Sequence, residues 1–264
     1  MTLTDLVELV RGGGLGADPA TCTVSVGFTT RQGARHATRG QSYRNTVVSL
    51  RVEEAIGSCA VEDIADDEVH ACVGATVQDL LGHPNPAIRT AALDAYLAHV
   101  RPHHLAATKS LTIGPGGSLA KSMARAEAVV DLLDPAPGDR VLVVGVVNSL
   151  LHHLRERGAT YVPCDLKGGH TEWDEPIATD AESALDGCDL VLASGMTVGN
   201  GTFEPLLRRA ADVGKPVVLF AQTASAILPW FIGDGVRAVS AEPYPFFWLD
   251  GGPTTIHHYT ERPS

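Results

Sequence analysis

The chain has 264 residues, enough for one large domain or two modest ones. Its 31 acidic and 20 basic side chains give a formal net charge of −11 at pH 7, which argues against a nucleic-acid-binding protein and against docking on an anionic membrane. Hydrophobic residues make up 44% and charged residues 19%, as in globular domains. The N-terminus lacks the pattern of a secretory signal and the five cysteines are scattered, so we expect a cytoplasmic protein with reduced thiols.

The first part of the chain predicts a small antiparallel sheet followed by helices. Helical spacing of apolar residues predicts helices at residues 3–11, 69–81 and 86–100. Alternating apolar and polar residues predict strands at residues 21–29 and 46–52. Glycines at 33 and 40 predict turns around a further short strand between these two.

The rest of the chain alternates short apolar strands with helices. The predicted strands are residues 140–147, 160–164, 189–193, 215–221 and 236–240. The predicted helices are residues 118–133, 149–157, 202–213 and a short one reaching Trp230. This alternation implies right-handed crossovers and a parallel sheet. We therefore predict an α/β protein, with an α+β domain at residues 1–113, a Rossmann-like domain at residues 114–264 and a glycine-rich hinge between them.

Polar residues follow the predicted parallel strands, at the edge of the sheet where ligands bind. Gly145 follows the first strand without the GxGxxG pattern of dinucleotide sites, and Asn148 or Ser149 can cap the next helix. Asp165 ends the second strand, where a carboxylate can hold ribose hydroxyls, although an exposed loop aspartate is the alternative. Asp180 could end a third strand, near a base.

A second candidate loop, residues 194–204, reads SGMTVGNGTFE. Its three glycines allow close backbone approach, and a tight turn alone would need only one of them. Thr202 is placed to cap the helix that follows, whose N-terminus would favour an anion. The candidate ligand contacts in this loop are Gly195, Thr197, Asn200, Gly201 and Thr202.

The eleven histidines raise the question of a metal site. Three adjacent pairs occur, but adjacent side chains on a helix point about 100° apart, and no HExxH or CxxC pattern is present. We therefore assign no metal ligands from the sequence. His152 and His153 remain candidate acid–base groups, because they follow the first Rossmann strand closely.

The segment 244–259 concentrates aromatic residues in a chain that is only 5% aromatic. It could form a wall of a substrate pocket, with Tyr244, Phe246 and Trp248 as the contacts. Alternatively, it could complete the edge of the sheet and a dimer contact. The pattern does not choose between these two roles.

Two motifs together resemble the putative heavy-metal chelation family. Residues 195–207, GMTVGNGTFEPLL, are similar to its Gly-Thr-Thr/Ser-x-x-Asn-Gly-Thr-x-x-x-Leu-Leu signature. Residues 87–98, AIRTAALDAYLA, resemble a helix of its N-terminal domain, with Asp94 in place of the usual Asn. The resemblance implies an enolase-N-terminal-like α+β domain packed on a Rossmann-like domain, with the site between them. It also implies metal chelation, or condensation and hydrolysis in pterin- or siderophore-like metabolism.

Two functional hypotheses follow. The first is a transferase- or lyase-like biosynthetic enzyme that holds S-adenosylmethionine, with Asp165 at the ribose and Asp94, His152 or His153 as acid–base groups. The second is a non-catalytic protein that binds a transition metal or a metal chelate. A scaffold subunit for a partner enzyme is a third and weaker possibility. In each case the expected partner is a small molecule, and the default assembly is a homodimer.

Overall fold

The structure, a computed structural model, describes residues 1–35 and 42–263. Its helices are α1 (Leu3–Arg11), α2 (Asp66–His70), α3 (Val77–Leu80), α4 (Pro86–Val100), α5 (His103–Ala106), α6 (Ser118–Leu133), α7 (Asn148–Glu156), α8 (Ala181–Ala184), α9 (Met196–Gly199) and α10 (Phe203–Asp212). Its strands are β1 (Val24–Arg35), β2 (Ser42–Val52), β3 (Ala55–Val61), β4 (Lys109–Ile113), β5 (Arg140–Val144), β6 (Thr160–Cys164), β7 (Leu190–Ser194), β8 (Val217–Ala221), β9 (Val236–Ala241) and β10 (Thr254–Tyr259). A 3₁₀ turn covers Leu228–Phe231. Among the helices described, none is long and apolar enough to cross a membrane.

A three-stranded antiparallel meander, in the order β1-β2-β3, forms the N-terminal sheet. Helix α4 packs against this sheet and is buried along almost its whole length, because it is enclosed between this sheet and the rest of the protein. The closest approach is at Gly57 of β3. A Cβ atom there would lie 2.0 Å from the backbone nitrogen of Ala95, so only glycine fits at this position.

Two details of this region differ from the prediction. Gly33 lies inside β1 instead of in a turn, and the third strand of the meander is β3; residues 36–41, where the short strand was predicted, lie outside the described residues. The single helix predicted at residues 69–81 is broken into α2 and α3. Gly74 has a φ of +87°, and the Thr76 side chain caps α3, so the chain turns and restarts there.

The large sheet has seven strands in the order β4-β10-β9-β8-β7-β5-β6. The five strands from β5 to β9 are parallel and confirm the predicted α/β, Rossmann-like fold. Their order, β6-β5-β7-β8-β9, is the 2-1-3-4-5 order of doubly wound sheets. The chain reverses its direction across the sheet between β5 and β7, and such a switch point opens a crevice at the carboxyl ends of the strands.

Two further strands complete the opposite edge of this sheet: β4, which the sequence did not predict, and β10, one of the two alternatives that the sequence allowed for its segment. β10 pairs antiparallel with both β9 and β4, so the C-terminal segment supplies a sheet strand. The proposed boundary between residues 113 and 114 therefore follows directly after a strand of the large sheet. At the other edge, the predicted third strand near Asp180 amounts to one parallel bridge, from Cys164 to Ala178.

A buried histidine cluster ties this edge together. His103 of α5 hydrogen-bonds to the Tyr259 hydroxyl at 2.8 Å and stacks on His257, with 5.4 Å between the ring centroids. His257 in turn bonds to Ser110 of β4. Burial lowers the pKa of His103 to about 3 and that of His258 to about 4, so both are neutral near pH 7.

Acid should destabilise the protein through these two histidines. Both folded-state pKa values lie below the unfolded value, so the unfolded chain binds more protons and stability falls as the pH drops below about 6.5. At pH 5 each histidine should remove about 2 kcal/mol from the free energy of unfolding. Urea titrations from pH 7 to pH 5 should show a smaller loss in H103Q and H258Q than in the wild type and in H70Q, which alters an exposed residue. An equal loss in all four proteins would contradict this assignment.

Candidate functional site

A cavity of about 840 Å³ lies at the carboxyl ends of the parallel strands. The loops after β5, β6, β7 and β8 form its floor. Residues of β2 and β3, with Asn85 and Pro86 at the start of α4, close it from the N-terminal side. The volume and mixed lining suit a ligand the size of a substrate or cofactor. The cavity therefore lies between the N-terminal sheet and the large sheet.

The loop at the switch point brings β5 and β7 together. Gly145 has a φ of +86°, and a Cβ there would lie 2.7 Å from the Cβ of Ser194, so both conformation and space demand glycine. Ser149 lines the cavity, and its hydroxyl lies 3.0 Å from that of Ser122 on α6. Asn148 is buried beside the cavity and accepts a hydrogen bond from the Glu172 amide instead of capping α7. The N-cap of α7 is Val147, which has no side-chain cap.

Two aspartates lie at the β6 end of the cavity. Asp165 follows β6, lines the cavity and accepts one hydrogen bond, from the Lys167 amide at 3.0 Å. Asp180 also lines the cavity, but both of its carboxylate oxygens accept hydrogen bonds at the start of α8, from the Glu182 amide and from the amide and hydroxyl of Ser183. Asp165 thus has more acceptor capacity left for a ligand than Asp180.

The glycine-rich loop divides into lining residues and packing residues. Thr197, Asn200, Gly201 and Thr202 line the cavity. Thr202 is the N-cap of α10, but its hydroxyl bonds to the Asn200 side chain instead of capping the helix. Gly195 lies outside the lining.

Packing explains two glycines of this loop. A Cβ on Gly195 would meet the Thr223 carbonyl oxygen at 2.2 Å, and one on Gly199 would meet the Cys59 sulfur at 2.7 Å. The first glycine lets β7 approach the loop after β8. The second lets the same loop approach β3 of the N-terminal sheet.

The aromatic segment before β10 contributes to the cavity wall in part. Trp248 lines the cavity together with Phe247, which the sequence did not single out. Tyr244 instead packs edge-on against Phe28 of β1, with 5.1 Å between centroids, and Phe246 is buried beneath it. The segment 244–259 therefore contributes to two features, because its first half reaches the cavity and its second half forms β10 of the large sheet.

The three predicted acid–base residues lie away from the cavity wall. His152 and His153 both contact Glu156 on their own helix, and His153 also bonds to the Met123 carbonyl on α6. Asp94 of α4 is fully buried, and its carboxylate accepts hydrogen bonds of 2.8 Å from the amides of Ser58 and Ala226.

The position of Asp94 makes it a brace between the two halves of the protein. It joins α4 to β3 and to the loop that follows β8, and burial raises its pKa to about 7. Its partners are backbone amides, so the carboxylate holds the walls of the site together. We do not retain it as an acid–base group.

A buried ion pair that sequence reasoning missed lies in the cavity wall. The Nε of Arg125 on α6 donates to Glu242 at 2.8 Å, and both side chains are at least 96% buried. The guanidinium lies 4.7 Å from the Phe220 ring centroid and 5.6 Å from that of Phe247. No sequence motif marks Arg125. It is a charged residue on the largely apolar face that α6 buries.

The mouth of the cavity is also charged. A hollow of about 410 Å³ adjoins the cavity there and is lined by Arg31 and Arg44 of the N-terminal hairpin. Lys167, in the loop after β6, forms an ion pair of 3.1 Å with Glu62. This pair links the loop to the strand that covers it.

The family of this fold follows from a comparison with known proteins. Residues 128–241, which span β5 to β9, match the model of the family described as "Putative heavy-metal chelation", DUF364. This part of the chain belongs to that family. No curated protein matches the sequence.

Two solved structures of the family share the fold over nearly the whole chain. A protein of unknown function from Desulfitobacterium hafniense superposes with a TM-score of 0.61 at 16% identity, covering 97% of this chain and 100% of the other. A family member from Pyrococcus horikoshii superposes with a TM-score of 0.53 at 14% identity, covering 96% and 99%. The likeness therefore includes the N-terminal sheet as well as the family domain.

The family description raises the question of whether these residues can hold a metal. In residues 1–35 and 42–263, no three His, Cys, Asp or Glu side chains lie close enough together to bind one ion. Cys164 lines the cavity, but burial raises its pKa to about 11, which disfavours the thiolate that a soft metal needs. The described donors therefore do not fit a metal centre built by this chain alone.

Proposed function

We propose that this chain is a transferase-type enzyme that binds a nucleoside-containing ligand in the interdomain cavity, with S-adenosylmethionine as the first candidate. The observation that carries the proposal is Asp165, a partly exposed carboxylate directly after the second parallel strand and on the cavity wall. A carboxylate accepts two hydrogen bonds and suits the paired hydroxyls of a ribose. The second substrate would lie against β2 and β3, which cover the cavity.

The shape of the cavity supports a ligand of this length. The strands β6, β5, β7 and β8 are neighbours, so the ends of β6 and β8 are about 14 Å apart at the usual strand spacing. Lining residues follow all four strands, from Asp165 at one end to Phe220 at the other. A nucleoside with an extended side arm spans a comparable distance.

Calorimetric titration with S-adenosylmethionine and S-adenosylhomocysteine tests the proposal. We expect saturable binding of at least one of them by the wild-type protein. In D165N the affinity should fall roughly 10- to 100-fold, since hydrogen bonds to a charged group contribute about 1.5–3 kcal/mol.

The matched control is D174N, which alters an exposed aspartate outside the cavity wall and should leave the affinity unchanged. No heat of binding and no thermal shift with either compound would overturn the nucleoside proposal. So would equal binding by the wild type and D165N.

The family description favours a second candidate, the binding of a metal. Because the described donors do not form a three-residue ligand set, the metal would enter as a chelate that brings its own donor atoms. Elemental analysis of protein purified without a histidine tag separates the two candidates. Stoichiometric metal that is lost in H152A/H153A would favour direct binding, and metal that co-purifies with an organic ligand would favour the chelate.

A further inference from the structure

We propose that Arg125 is the receptor for an anionic group of the ligand, a carboxylate or a phosphate, at the β8 end of the cavity. This inference deepens the proposed function, because it assigns the chemistry of the ligand's second end. It rests on the contacts of the Arg125 guanidinium and does not depend on the identity of the nucleoside.

The Arg125 side chain has hydrogen-bond donors that the protein does not use. Arg125 is 4% exposed and lines the cavity, and its Nε donates to Glu242. Its two Nη groups have no hydrogen-bond partner in the part of the chain that the structure describes, and they are not sealed from solvent. Buried guanidinium donors are normally paired, so these groups are available to an acceptor that enters the cavity.

The Arg125 guanidinium is held in place by its neighbours. Glu242 fixes the Nε side, and the rings of Phe220 and Phe247 lie on the guanidinium at 4.7 and 5.6 Å. Stacking and one fixed hydrogen bond preorganise the two terminal Nη groups, which form a planar fork of donors. A planar fork of this kind matches the two oxygens of a carboxylate or a phosphate.

Two serine hydroxyls and a helix N-terminus line the same cavity as Arg125. Ser122 lies one helical turn before Arg125 on α6 and pairs with Ser149 in the first turn of α7, and all three residues line the cavity. The N-terminal end of a helix favours negative charge. The cavity wall therefore combines two hydroxyls, a helix N-terminus and the Arg125 guanidinium with the aromatic rings of this end, and all three polar groups favour an anion.

The chain as a whole is acidic, which makes the placement of a buried cation in the cavity wall informative. With a net charge of −11, the chain repels anions at long range, so an anionic group needs a local cation to bind. Asp165 marks the opposite end of the cavity. The ligand class is therefore a molecule with hydroxyls at one end and an anionic group about 14 Å away, judged by the strand spacing.

The test uses two simple anions, malonate and pyrophosphate, at constant ionic strength. The readout is the ¹⁵N–¹H signal of the Arg125 Nε, assigned by its absence from the spectrum of R125K. We expect at least one anion to shift this signal saturably, and the tighter of the two identifies a carboxylate or a phosphate as the preferred group. In R125K, calorimetry should show about a tenfold loss of affinity for that anion, because lysine lacks the fork.

Two further variants control for structure. R125M/E242Q removes both charges of the buried pair, so that no unpaired charge remains, and should fold but fail to bind the anion. R155Q alters an arginine that also contacts a glutamate and stacks on Trp173, but outside the cavity, and should bind as the wild type does.

Nucleoside probes separate this inference from the proposed function. S-adenosylhomocysteine carries a carboxylate and 5′-methylthioadenosine does not, so R125K should weaken only the former. If both nucleosides bind equally well to R125K and the wild type, and neither anion shifts the signal, the Arg125 inference is overturned and the nucleoside proposal stands. If an anion binds at Arg125 and neither nucleoside binds, the nucleoside proposal is overturned and the Arg125 inference stands. Absence of all binding overturns both.

Discussion

Replacing Gly195 with alanine is expected to lower the free energy of unfolding by about 3 kcal/mol or more. The φ of Gly195 is −58°, which alanine adopts readily, so the cost is purely steric. The added Cβ would lie 2.2 Å from the Thr223 carbonyl oxygen and 2.9 Å from the Ala221 Cβ. The loop after β8 would have to move, and Thr223 in this loop lines the cavity. Urea denaturation of G195A measures the effect.

The control for this prediction is G114A. Gly114 has open space around its Cβ position and no positive φ, so alanine should change the stability little. If G195A and G114A unfold at the same urea concentration, the close packing of β7 on the loop after β8 is contradicted.

The second large effect is expected from Asp94→Ala. The substitution leaves the Ser58 and Ala226 amides buried without an acceptor, and each such group costs about 1–3 kcal/mol. For the two amides together we expect a loss of about 2–6 kcal/mol in the free energy of unfolding. Ligand affinity should also fall, since α4, β3 and the loop after β8 all contribute to the cavity wall.

D180A is the matched control for D94A. Asp180 also accepts hydrogen bonds from backbone amides, but it is exposed at the start of a four-residue helix. Its removal should cost about 1 kcal/mol, as for other N-cap residues. A stability loss in D94A no larger than that in D180A would refute the bracing role of Asp94.

The sequence predicted the parallel part of the fold well, because short apolar strands that alternate with helices admit few topologies. It did not predict β4, and it left open whether the segment that contains β10 joins the sheet. These strands pair antiparallel at one edge, through contacts between residues about 145 positions apart, such as Ile256 with Leu111. Local periodicity carries no information on such pairing. The broken helix at Gly74 was missed for the opposite reason, since a local turn interrupts a continuous apolar pattern.

For the site, topology located loops better than individual side chains. Asp165, Asp180, Gly145 and Thr197 were predicted as ligand contacts because loops at the carboxyl ends of parallel strands share one edge, and the structure places all four on the cavity wall. His152 and His153 were chosen because they follow the first Rossmann strand closely, but the phase of α7 directs them to Glu156. Arg125 could not be found from the sequence, because its importance depends on two aromatic rings and a glutamate from distant segments.

The central claim is that a nucleoside ligand occupies the interdomain cavity, and tryptophan fluorescence tests it directly. Trp248 lines the cavity, whereas Trp173 packs on Arg155 outside it. Titration with S-adenosylhomocysteine should change the emission of the wild type and of W173F with the same saturation curve. The change should disappear in W248F. An unchanged response in W248F, or no response of the wild type at saturating ligand, would contradict the account.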